Sequence, residues 1–267
     1  MKKKINYRLI SQIFFFALVA LITMNHYLAE SGDGLPFIGS MSLHAICPYG
    51  GVATFVALLK YGVFVQKIHP SSLVMLGIIL FAGVLFGPVV CSYACPLGSI
   101  QEWIGKIGKR VFKKHNKIIP YSIDSKLRYV RYFVLIFTVY VTTNSLKLMF
   151  LNIDPYYALF NFWSEEAVVG GIVALIATLV LSLLVERPWC KYFCPFGALM
   201  GLTNFIRIFK IRRKSETCID CKACDRACPM NIKVSDKEVV RNHQCISCGE
   251  CTSDAVCPVE DTVEMKM

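Results

Sequence analysis

Cys218-Ile219-Asp220-Cys221-Lys222-Ala223-Cys224-Asp225-Arg226-Ala227-Cys228-Pro229 sets four thiols at gaps of two, two and three residues and closes on proline. Seventeen positions after Cys228 the pattern returns as Cys245-x2-Cys248-x2-Cys251, followed by Cys257-Pro258. Three thiolates at i, i+3 and i+6 wrap a loop around one corner of an inorganic cube. The C-x2-C-x2-C-x3-C-P run holds [4Fe–4S] clusters, and its fourth cysteine serves the other cluster. On that rule Cys218, Cys221, Cys224 and Cys257 bind one cluster, and Cys245, Cys248, Cys251 and Cys228 bind a second. The five-residue gap before Cys257 departs from the usual three and lengthens one loop. Zinc knuckles use four ligands, often as two C-x2-C pairs, and do not account for two triplets plus two Cys-Pro pairs.

The rest of the chain is of another kind. Its 267 residues are 55% hydrophobic, with a mean hydropathy of +0.52. That is too apolar for a soluble α/β domain and ordinary for a multi-span membrane protein. The sequence predicts a mainly α protein: a four-span transmembrane helix bundle over residues 1–214 and a small C-terminal α+β ferredoxin-like domain with two [4Fe–4S] clusters over 215–267. A secreted disulfide scaffold is excluded by the length, the apolar segments and the triplet spacing. Clusters need thiolates, so the tail belongs in the reducing cytoplasm. The net charge of +11 does not mark nucleic-acid binding, because Lys and Arg gather in loops flanking apolar segments.

Four segments approach the roughly 20 apolar residues that a bilayer crossing takes: 9–27, 72–90, 129–150 and 167–185. The first follows Lys2, Lys3 and Lys4 but lacks a small-x-small cleavage site, so it is a span rather than a signal peptide. Residues 99–128 carry eight Lys and Arg and residues 186–217 carry seven, while the 151–166 loop has none. The positive-inside rule then puts both termini on the cytoplasmic side of the bacterial inner membrane and the 29–46 and 151–166 loops outside. Gly50–Gln66 is short and contains Lys60, and is expected to lie as an interfacial or re-entrant helix near the outer surface.

Cys91-Ser-Tyr-Ala-Cys-Pro-Leu-Gly98 recurs 99 residues later as Cys190-Lys-Tyr-Phe-Cys-Pro-Phe-Gly197. Each copy ends an outside-to-inside span and opens a basic amphipathic segment, as in a two-span unit used twice. Cysteines at i and i+4 share a helix face, and the proline marks a break or an N-terminal turn. Cys91, Cys95, Cys190 and Cys194 together offer four thiolates to one further site: a third iron–sulfur cluster, or a copper or zinc ion. Redox-active dithiols and plain packing are the alternatives. An incomplete third copy runs from His44 through Cys47 to Gly51, and His44 with Cys47 is a candidate contact to a cofactor, a quinone or an external flavin. Quinone sites need a polar partner and a proton acceptor in an apolar cleft. Near the outer face the candidates are His26, His44, Asp154, Tyr156, Tyr157, Glu165 and Glu166, although a carboxylate or His at a span edge is more often simply solvated. Glu186 and Arg187 are adjacent and able to pair with each other. The aromatic cluster around Tyr156, Phe162 and Trp163 is expected as an interfacial belt.

Four spans, two C-x3-C-P motifs and an eight-cysteine tail resemble the NapH-type membrane ferredoxins, a family similar to the membrane parts of NosR and CcoG proteins. The resemblance covers nearly the whole chain. It implies an electron-transfer subunit linking the quinol pool, a cytoplasmic ferredoxin and an extracytoplasmic reductase or flavoprotein. The His44 to Gly51 stretch is similar to forms of the family with external flavin-bearing partners. The CcoG likeness implies an alternative, in which the tail drives copper binding and reduction at the membrane cysteines. No nucleic-acid partner is implied, and no fused catalytic domain is visible.

Overall fold

The computed structural model describes residues 7–30, 48–62, 71–112, 115, 116, 118–145, 149–161 and 169–267. The protein is mainly helical. Helix α1, Tyr7–Glu30, is long because nothing in 24 residues stops it: neither Pro nor Gly interrupts the apolar run. Among the described residues it is the one helix long and apolar enough to cross a membrane by itself, over Tyr7–Asn25. After α2, Pro48–Tyr61, come two similar units. In the first, α3 (Ser71–Phe86) leads into a five-residue α4 (Val89–Tyr93) and then α5 (Pro96–Val111). Helices α6 (Tyr121–Leu127), α7 (Val130–Ser145) and α8 (Pro155–Asn161) intervene. In the second unit, α9 (Val169–Ser182) leads into α10 (Pro188–Tyr192) and α11 (Pro195–Ile206).

Helix α1 exceeds its predicted 9–27, while the other three apolar helices, among the described residues, are shorter than the sequence predicts. The segment expected to run through 72–90 breaks at Gly87, whose φ of 80° takes the chain out of the helix ahead of Pro88. The 129–150 segment is helical over Val130–Ser145 and forms a 3-10 turn over Met149–Asn152, with residues 146–148 outside the described residues. The loop expected outside, 151–166, is no simple surface loop. Within it α8 packs against α1, α5 and α9, with Phe160 and Ala158 buried. The Gly50–Gln66 segment is helical as far as Tyr61 and packs against α3 and α7. Residues 63–66 lie outside the described residues.

These helices are turned inside out relative to a water-soluble bundle. Phe14 and Leu21 of α1 are exposed while Gln12, Thr23 and Asn25 are buried. In α7, Phe133 is 73% exposed and Arg131 is 2% exposed. In α9, Val173 and Val180 face out while Thr178 and Ser182 are buried.

The tail begins with strand β1, Lys210–Arg213, just ahead of residue 215. It pairs antiparallel with β2 (Val239–Val240), Ile211 opposite Val240, and with β3 (Val263–Lys266), Ile211 opposite Met265. Ile211, Met230, Ile232, Val234, Val240 and Val263 form one small core, and Cys224, Cys245 and Cys251 are part of it. So few aliphatic side chains bury little area for a domain of this size. The cysteines and whatever they bind supply the remainder.

Candidate iron–sulfur centres

Each cysteine triplet is wound by two residues in the left-handed conformation. In the first they are Asp220 (φ 50°) and Lys222 (φ 54°); in the second, Ser247 (φ 51°) and Gly249 (φ 74°). Left-handed residues between right-handed ones turn successive N–H groups to one side and make a concave nest for an anion. The same curl swings three thiols inward. Cys218, Cys221, Cys224 and Cys257 line one cavity. Cys228, Cys245, Cys248 and Cys251 line a second, against Met230 and Ile232. The structure therefore brings together the two groups of four that the sequence pairs. The first cavity is near the surface, with Cys221 exposed, whereas Cys245 and Cys251 of the second are buried.

The donor chemistry fits a cluster in each. Burial, with Cys248 nearby, pushes the Cys228 thiol up to about 12. Burial pushes Cys248 and Cys224 up to about 11. Thiols so placed ionise at neutral pH only when a cationic body stands between them. Among the described residues no three His, Cys, Asp or Glu side chains close in on the point that a single ion would occupy. The four thiols of each group line one cavity, the arrangement in which a cube is held at its corners.

One buried cation completes the fit. Arg207 is 0% exposed. Its Nη1 donates to Cys245 Sγ at 3.6 Å and to Ser247 Oγ at 2.8 Å, and its Nη2 donates to the Val240 carbonyl at 2.7 Å. Among the described residues no carboxylate pairs with it, and its Nε has no hydrogen-bond partner. An unpaired buried charge is strongly destabilising. An anionic cluster held by Cys245 would supply the missing counter-charge.

The other four predicted cysteines sit at equivalent places in the two helical units. Cys91 lies in α4 and Cys190 in α10, while Cys95 and Cys194 are the N-caps of α5 and α11, with Pro96 and Pro195 in the first turn. Each pair is thus split between two helices and does not share one face, because the chain leaves the helix before the second cysteine. The consequence is chemical: burial pushes the Cys95 and Cys194 thiols up, and the helix N-termini at which they sit work against it. Cys194 Sγ accepts from Gly197 N at 3.2 Å. All four sulfurs are close enough to act on one another electrostatically. Gln101 Nε2 approaches Cys190 Sγ at 3.5 Å, while its Oε1 accepts from Trp189 N at 3.1 Å. Arg187 does not pair with Glu186. It donates to the Cys91 carbonyl at 2.7 Å and to Glu102 at 2.6 Å. Burial alone would raise the Glu102 carboxyl, but Arg187, Arg8 and Lys106 hold it at about 2.

The tail is docked on this quartet. Cys91 packs against the core that contains Cys245 and Cys251. Tyr93 Oη donates to the Cys248 carbonyl at 3.4 Å, Asn204 Nδ2 to the Cys245 carbonyl at 2.7 Å, and Gln244 Nε2 to the Lys191 carbonyl at 3.1 Å. Arg8 of α1 pairs with both Glu102 and Glu250. On the far side, Tyr156 of α8 packs with Cys95 and Trp189 around Leu97 and Ala158. Asp154 caps α8, its Oδ1 accepting from Tyr156 N at 3.0 Å. His44, Cys47, Phe162, Trp163, Glu165 and Glu166 lie outside the described residues, as does the side chain of His26.

A helical scaffold that presents clustered thiols to a cysteine-built tail defines an iron–sulfur electron-transfer protein. The family described as "4Fe-4S binding domain" matches residues 68–115 and 168–214, the two helical units. The chain is 30% identical over 209 residues to the uncharacterized protein MJ0750 of Methanocaldococcus jannaschii, covering 78% of this chain and 82% of that one. It is 28% identical to the ferredoxin-type protein NapH of Haemophilus influenzae, over 68% of this chain and 65% of NapH. It is 29% identical to YccM of Escherichia coli, named as a candidate electron transport protein, over 78% of this chain and 60% of YccM's length. No solved structure matches. The chain belongs to the NapH-type ferredoxin family.

Proposed function

We propose that this protein relays single electrons between the cytoplasm and a redox partner beyond the membrane, through two [4Fe–4S] clusters in the tail and a third metal centre at Cys91, Cys95, Cys190 and Cys194. Cys218, Cys221, Cys224 and Cys257 hold the outer cluster, and Cys228, Cys245, Cys248 and Cys251 the inner one. The clusters supply reversible one-electron storage when bound. The chain supplies their spacing, their insulation from water and the charges around them. The observation that carries this reading is the packing of Cys91, a member of the quartet, directly against the tail core that contains Cys245 and Cys251.

The inside-out helices support a bilayer setting, since exposed apolar faces of this extent need lipid or a partner. The Arg8 ion pairs to Glu102 and Glu250 put the start of α1, the quartet and the tail at one end of the bundle. That agrees with a cytoplasmic location for both termini. At the other side of the quartet, α8 offers Asp154 and Tyr156 for exchange with a quinone or an extracytoplasmic flavoprotein or reductase.

The test is iron and sulfide analysis of anaerobically prepared protein, with paramagnetic resonance. About eight irons in the tail are expected for two cubes. Replacing the quartet by Ser should remove only the additional metal, be it iron or copper. A preparation with fewer than eight irons per chain, or a tail reached by extracytoplasmic labelling reagents, overturns the proposal.

A further inference from the structure

The two cavities of the tail differ in the charges that face them. At the outer one, Cys218 Sγ and Cys224 Sγ each approach a carboxylate, Asp220 Oδ1 and Asp225 Oδ1, at 3.8 Å. Arg213 also reaches Cys218 from the edge of the cavity, but its charge is matched by Asp220 at 3.8 Å. At the inner one, Glu250 near Cys248 is paired with Arg8, while Arg207 touches Cys245 Sγ and has no carboxylate among the described residues. Reducing a cluster adds one negative charge. A cation at its sulfur ligand favours that state, and anions beside it disfavour that state. Burial alone works against reduction of the inner centre. Yet the same low dielectric strengthens a charge in direct contact with the ligand, whereas the exposed Asp220 is screened by water.

We propose that Arg207 is a positioning residue that sets the inner centre at a higher reduction potential than the outer one. This rests on the assignment of both cavities to [4Fe–4S] clusters. One electron leaves the outer centre, which is oxidised, and reduces the inner centre, with no bond made or broken and no proton required. Electrons therefore fall from the exposed cysteines toward the helical units, and Arg207 makes the relay inward-directed.

The experiment is a reductive titration of the full-length, iron-loaded protein in detergent, followed by paramagnetic resonance. It compares wild type with Arg207→Gln, Arg207→Lys and Asp220→Asn. Wild type should show two one-electron midpoints. Arg207→Gln should lower the upper one by at least about tenfold in the equilibrium between the centres, about 59 mV for one electron, and leave the lower one in place. Arg207→Lys should keep most of the gap. Asp220→Asn should raise the lower midpoint and so identify it as the outer centre. The proposal is overturned when Arg207→Gln retains its iron and the upper midpoint stays, or when the lower one moves instead. Should Arg207→Gln lose its iron, the other two variants decide. Closure of the gap in Arg207→Lys, or an upward shift of the upper midpoint in Asp220→Asn, refutes it. Wild-type protein without two paramagnetic centres fails differently: it removes the clusters and not the role of Arg207.

Discussion

Gly249 and Lys222 occupy the same turn of the two cysteine loops, at φ 74° and 54°. A Cβ at Gly249 would meet only Thr252 Oγ1 at 3.7 Å and Tyr93 Oη at 3.9 Å, both ordinary contacts. Gly249→Ala should therefore carry the conformational penalty alone, about 1 kcal/mol, seen as a lower melting temperature of the iron-loaded protein. Lys222→Gly should shift it upward. An alanine variant that melts like wild type would show that the loop is not left-handed there. At this scale the sequence was highly legible, since spacing is itself the geometry of a loop around a cube. The buried cations were not. Arg128, Arg187, Lys191 and Arg207 all belong to the basic stretches counted for membrane orientation. In the structure they are buried. A run of positive residues does not say which of them face water, because that depends on the carboxylates and thiols that distant helices bring.

Helix α5 shows what small residues do for the packing of the units. Gly98 lies under Arg187 and the Cys91 carbonyl, and a Cβ at Gly108 would stand 2.1 Å from the Leu183 carbonyl oxygen. Gly108→Ala must push α5 away from the end of α9. The shift should destabilise the protein by about 1–3 kcal/mol and change the spectrum of the quartet more than that of the tail. The ion pairs between these elements give a pH test. Glu102 has its folded value depressed to about 2, against an ordinary carboxylate value of roughly 4.3. Its contribution is thus complete above about 4.3 and is lost as pH falls toward 2. Glu102→Gln should flatten that acid limb in a melting series. It should also lower stability at neutral pH by about 3–5 kcal/mol, since Arg187 then loses its counter-charge and Arg8 keeps only Glu250. An acid limb unaltered in the variant would mean that another carboxylate controls it. The repeat was visible as a spacing of 99 residues. The split of each C-x3-C pair between a short helix and the next N-cap was not. Helical spacing predicts one face, and only the tertiary setting shows that the chain leaves the helix at Ala94 and Phe193.

The whole molecule is two folds sharing one interface, with polar contacts such as Asn204 to the Cys245 carbonyl and Arg128 to the Asn231 carbonyl at 3.0 Å. Because the tail core is small and built around cysteines, iron removal should unfold it and leave the helices intact. Chelation under reducing conditions should open the chain to protease beyond Lys210, with helical circular dichroism largely kept. Equal resistance before and after chelation would disprove the dependence. The bundle was legible as apolar segments, but the end of α3 was not, because Gly87 cuts it short. That cut bears on the surrounding lipid. Helices of 16 residues, such as α3 and α7, rise about 24 Å, less than the roughly 30 Å of an average hydrocarbon core. In the bilayer setting proposed above, lipid would thin beside these shorter helices. The dimple that results would draw external water down toward α8, so that a reactant on the far side approaches the sulfur quartet across less oil than membrane thickness alone implies.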